Sequence, residues 1–126
     1  MAYPAAGEPD AFDLILAAED EALDLGADDL FGLWELLWSL QTRFPAVPAT
    51  ALREVAALAL RRLFGQGRVT LVWWDPANDR ATHVDPAEVA TVLADDANWR
   101  PPEDADAPHL RFITTAVGRT ALSSGR

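Results

Sequence analysis

Cysteine is absent from the sequence, and so is lysine: all ten basic residues are arginine. The missing thiols remove disulfides, thiolate metal sites and cysteine nucleophiles together, and they fit a reducing compartment. Serine is scarce (Ser39, Ser123 and Ser124), and none lies in a nucleophile elbow. His83 and His109 are the only imidazoles. They lack metal-ligand spacing, so each reads as a strand-end histidine with a satisfied ring. Gly65 and Gly67 lead into a strand, the reverse of a dinucleotide loop. Asp75, Asn78 and Asp79 are explained by a turn rather than by calcium. No window approaches the roughly 18 consecutive apolar residues of a membrane span. The N-terminus has neither the basic nor the apolar region of a signal peptide, so the expected address is the cytoplasm. Catalysis, a cofactor, a metal and a small-molecule substrate are accordingly not expected.

What is present is an acidic globular composition. The 126 residues are 50% hydrophobic and 24% charged, with a net charge of −10. This length suits one domain that buries roughly two-thirds of its unfolded surface. The charge repels a phosphate backbone and disfavours nucleic acid as a partner. It is also unevenly spread. Residues 8–29 include Glu8, Asp10, Asp13, Glu19, Asp20, Glu21, Asp24, Asp28 and Asp29 and no basic residue. Residues 53–68 include Arg53, Arg61, Arg62 and Arg68 against the single Glu54.

The largest apolar side chains concentrate in residues 29–74, which must carry the core. Residues 1–9, with Pro4, Gly7 and Pro9, read as a loose arm. Asp10 caps a helix over 11–25, with Phe12, Ile15, Leu16 and Leu23 as its apolar stripe and Gly26 as its stop. A second helix over 30–44 has Leu33, Leu37, Leu40 and Phe44 as one stripe, widened by Leu30, Trp34 and Trp38. A helix this apolar is buried on most sides. Pro45 ends it. A third helix over 51–64 buries Leu52, Val55, Ala56, Ala59 and Leu63 and turns Thr50, Arg53, Glu54, Ala57 and Arg61 outward. A strand follows at 69–74, a short return at 81–84, and a helix over 85–96 opened by Asp85-Pro86-Ala87-Glu88. Residues 97–108 form an acidic, proline-rich loop. Residues 109–115 alternate as a second long strand, and 119–126 form a small polar tail.

The order helix, helix, helix, strand, loop, strand resembles a winged-helix domain over residues 28–118. Leu63 with Gly67-Arg68-Val69, and Thr115 with Gly118, carry the likeness, and a helix and an acidic loop stand where a simple wing has a short hairpin. The chain also resembles small uncharacterised actinobacterial proteins at Leu33-Trp34-Glu35, Phe44-Pro45 and Trp99-Arg100-Pro101-Pro102-Glu103, a likeness that implies no activity. The expected fold is α+β and winged-helix-like: three N-terminal helices and a small antiparallel sheet with one inserted helix, in a single domain over 1–126.

Three functions follow. The first is a non-enzymatic protein-interaction module, acting on a partner or on itself as a homodimer. Trp73, Trp74 and Trp99, or the acidic first helix, would supply its surface. Trp73 and Trp74 are adjacent on a strand, so one enters the core and the other needs separate cover. Trp99 is expected to plug the core or to anchor a partner. The second, implied by the winged-helix resemblance, is a DNA-binding regulator whose third helix enters the major groove, with Arg53, Arg61 and Arg68 on phosphates or base edges. The third is an antitoxin or immunity-type inhibitor whose acidic surface blocks a basic partner.

Overall fold

The structure, a computed structural model, describes residues 10–123; the N-terminal arm read from the sequence lies outside them. The chain is α+β. Among the described residues, five helices, α1 (Ala11–Leu25), α2 (Leu33–Arg43), α3 (Ala49–Gly65), α4 (Val89–Ala94) and α5 (Ala116–Ser123), accompany four strands. The strands are β1 (Phe31–Gly32), β2 (Val69–Asp75), β3 (Arg80–His83) and β4 (His109–Thr114). They form one antiparallel sheet in the order β1-β4-β2-β3. Among the described residues, no helix is long and apolar enough to cross a membrane.

Local chemistry sets most boundaries. The Asp10 carboxylate accepts the Asp13 N–H at 2.8 Å and starts α1, and the Gly26 N–H closes it on the Ala22 carbonyl at 3.0 Å. Gly67, at φ 71°, takes the left-handed conformation that turns the chain after α3 into β2. The Asp85 carboxylate caps a 3-10 turn at Pro86–Glu88, which runs into α4.

Several boundaries depart from the sequence reading. The second helix begins at Leu33 because Phe31 and Gly32 pair with Phe112 and Arg111 as a two-residue strand. The Glu35 carboxylate then accepts the Gly32 N–H at 2.8 Å, half of a capping box. Residues 97–108 are not wholly irregular, since Asp96–Trp99 is a 3-10 turn capped by Asp95. The expected polar tail is instead largely α5. The Thr115 hydroxyl accepts the Gly118 N–H, and Leu122 packs on the core. At Gly118 a Cβ would overlap the Arg68 carbonyl oxygen, so only glycine lets α5 lie this close to the β2 entry.

All the helices pack on one face of the sheet. Val69, Leu71 and Trp73 of β2, Phe31 of β1, and Leu110 and Phe112 of β4 meet Leu14, Ala18, Leu36, Leu40, Leu52, Ala56, Leu60, Leu63, Leu93 and Trp99 in one core. Each fully buried leucine or phenylalanine there contributes about 1.5–3 kcal/mol. Thr114, also buried, donates its hydroxyl to the Leu23 carbonyl at 2.8 Å and ties β4 to α1.

The stripe that α1 buries is the expected one only at Leu23. Leu14, Ala18, Ala22 and Leu23 face the core, whereas Phe12 and Leu16 are 58% and 41% exposed. Helix α1 packs on α3, and the fully buried Ala18 and Ala22 of the one and Ala56 and Ala59 of the other are small enough to let two helices approach closely. Phe12 and Leu16 are thereby turned outward.

Candidate interaction surfaces

Three surfaces hold the residues singled out by the sequence. The first is the sheet face opposite the helices. Strand alternation sends Thr70, Val72 and Trp74 of β2 and His109, Arg111 and Ile113 of β4 there, away from the core. Trp73 is the inward member of the tryptophan pair and Trp74 the outward one, and both are half-buried.

This face is tiled by its own side chains. The Trp34 ring lies directly on Gly32, where a Cβ would overlap it. Its centroid is 5.4 Å from that of His109, in an edge-on arrangement, and the Arg111 guanidinium sits 5.6 Å from the Trp34 ring. Arg111 donates from Nη1 to the Leu30 carbonyl at 2.8 Å and from Nε to His109 Nε2 at 2.8 Å. With Nε2 accepting, the 2.9 Å contact of His109 Nδ1 with the Ala107 carbonyl assigns the proton to Nδ1 of a neutral ring. Val72, in register between Arg111 and His83, is buried although it lies outside the helix-side core.

The second surface is that of the arginines, of which Arg53 and Arg61 both border the α4 segment and Arg68 lies in a separate hollow. Arg53 donates to the Ala94 carbonyl at 2.6 Å and pairs with Asp96 at 3.0 Å, holding the segment after α4 against α3. Arg61 is exposed beside Ala57, Leu58 and Ala90. Arg68 lines a different hollow with Glu19, the carboxylate that Arg62 approaches at 3.4 Å. Two of the three arginines assigned to DNA are therefore beside carboxylates, and the inserted segment occupies one flank of α3.

Trp99 is not a surface anchor. It is 4% exposed, it packs in the core, and its indole N–H donates to the Leu93 carbonyl at 2.8 Å. Trp38 reverses the other way: read as part of a buried stripe, it is 53% exposed. Its spacing held the clue, since Glu35 and Thr42, three residues before and four after it, already mark that side of α2 as polar.

The third surface runs along α1 and α5. Among the described residues, Phe12, Leu16 and Val117 are three of the five exposed large hydrophobics, and all lie on these two contacting helices. Thr114, just before α5, bonds to Leu23 and Gly26 at the end of α1, while Leu16 and Ala121 line a common hollow. Helix α5 therefore runs back alongside α1. The hollow, about 310 Å³, has Leu23 and Leu63 below and Glu19, Asp20 and Arg68 around it. Burial pushes the Glu19 carboxyl above its ordinary range, outweighing the opposite pull of Arg62 and Arg68.

Comparisons with family models, with curated proteins and with solved structures find no match to this chain. Among the described residues, no group of three or more histidine, cysteine, aspartate or glutamate side chains is disposed to hold a metal ion.

Proposed function

We propose that this protein is a non-enzymatic protein-interaction module whose docking surface is the α1–α5 face. One observation carries the reading: Phe12, Leu16 and Val117 project into solvent on two adjacent helices whose other faces pack on the core. Exposed aromatic and aliphatic residues beside a hollow are the usual anchors of an interface. The chain order α1, β1, α2, α3, β2 and β4, with β1 and β2 flanking β4, supports a winged-helix-like build carrying an insertion between β2 and β4. The engagement of Arg53 by that insertion supports a protein partner over DNA.

The test is site-specific photocrosslinking in cells that produce the protein. A photoreactive residue replaces Phe12 or Leu16 in two variants and the equally exposed Leu58 in a third. A discrete adduct of higher mass is expected from positions 12 and 16 and not from 58. Equal labelling at all three, or none at 12 and 16, overturns the reading.

A further inference from the structure

We propose that the α1–α5 face receives a basic amphipathic helix from a different protein; this inference rests on the reading just given. Phe12, Leu16, Asp20 and Asp24 succeed one another at four-residue intervals. They therefore form one ridge that changes from apolar to acidic along α1, with Asp13 beside it. Every charged residue of α1 is acidic. Arg43 of α2 lies 3.7 Å from Glu21 and Arg62 of α3 lies 3.4 Å from Glu19, while Arg68 borders the hollow beside Glu19 and Asp20. Both pairs lie toward the body of the fold, whereas Asp13 and Asp24 are exposed.

This arrangement selects the occupant. A ridge beside a second, antiparallel helix leaves a groove that accepts side chains spaced three and four residues apart, as on a partner helix. One apolar side chain of that partner fits the hollow between Leu16 and Ala121. Lysine or arginine flanking it meets Asp13 and Asp24. A second copy is the wrong occupant. Twofold pairing of α1 would bring its carboxylates into a partly desolvated contact to which neither copy of α1 supplies a basic residue, on chains that each carry −10.

Three fluorescein-labelled peptides of about 18 residues, long enough to form a helix on binding, test this by anisotropy against the full chain. The first has a leucine seam at helical spacing flanked by lysine and arginine. The second keeps the seam and replaces the flanks with glutamate. The third scrambles the first. The first alone is expected to bind. Phe12→Ala and Leu16→Ala each weaken it about tenfold. The double change Asp13→Asn with Asp24→Asn weakens it about fivefold at low salt and has little effect at about 0.3 M. Leu58→Ala leaves it unchanged.

If the glutamate-flanked peptide binds equally well and loses affinity on Leu16→Ala, the docking face stands and the basic class is overturned. If the scrambled peptide binds equally well, attraction is charge alone and the helix is overturned. If no peptide binds in a manner that Leu16→Ala reduces, the docking face itself fails. A solution mass that doubles in the parent and not in Leu16→Ala assigns the face to a second copy and overturns the proposal.

Discussion

The outer sheet face and the α1–α5 face both carry apolar side chains outside the helix-side core, yet they are finished differently. On the sheet, Trp34 lies on Gly32, Arg111 lies on Trp34 and bonds to His109 and Leu30, and Val72, in register beside Arg111, is buried. On α1 and α5, none of the described residues closes over Phe12, Leu16 and Val117 in this way. Apolar content alone therefore does not mark a docking surface. What distinguishes one is whether neighbouring side chains already satisfy it, and by that measure Trp74, the anchor suggested by the sequence, is a weaker candidate than Leu16.

This contrast is open to direct challenge by chemical denaturation. The largest effect should come from Trp34→Ala, which uncovers the tiled face and leaves Arg111 and His109 without their aromatic partner. A loss of about 3–5 kcal/mol is expected, and a loss below 1 would erase the distinction between the two faces. Next comes Trp99→Phe. It keeps most of the plug but strands the Leu93 carbonyl, at a cost of about 1–3 kcal/mol, which would be near zero if the indole N–H were not the partner it is here. Arg111→Met retains a long stem and loses two hydrogen bonds. It should cost about 1–2 kcal/mol and abolish the contact that holds His109 in one tautomer, visible as a shift of its ring nitrogens in nitrogen NMR.

A smaller effect is expected at Glu19, and its sign is set by burial. The folded-state carboxyl holds its proton to higher pH than the unfolded one, so the folded state binds more protons between those values. Stability attributable to Glu19 is thus greatest below the ordinary glutamate value of about 4.3 and declines as pH rises through the folded-state value. Glu19→Gln should flatten that decline and leave the protein at least as stable as the parent near neutral pH. Denaturation midpoints measured in steps from acid to neutral would show it, and a steeper decline in the variant would reverse the assignment. Smallest of all, Phe12→Ala and Leu16→Ala should change stability by no more than about 0.5 kcal/mol, because both are exposed. That lack of effect on folding is what makes their effect on binding interpretable.

Much of the local structure was legible in the residues themselves, because capping and turn formation act over a few positions. Asp10 and Gly26 bound α1, the turn at Gly67 leads into β2, Asp85-Pro86 opens the segment leading into α4, and the alternation of β4 sends Leu110 and Phe112 inward. The α+β class followed from the order of these pieces. The absence of cysteine, the all-arginine basic set and the acidity of residues 8–29 are likewise matters of composition. Tertiary structure decided everything that depends on partners distant in the chain. Only the pairing of Phe31 with Phe112 makes a strand of what local pattern reads as the start of a helix. Only the packing of α1 on α3 and the rest of the core, which buries Leu14, Ala18 and Ala22, turns Phe12 and Leu16 outward, since helical periodicity shows that a stripe exists and not which neighbour fills it. Only the chain's return after β4 sets α5 beside α1, and with it the groove on which the proposed function rests.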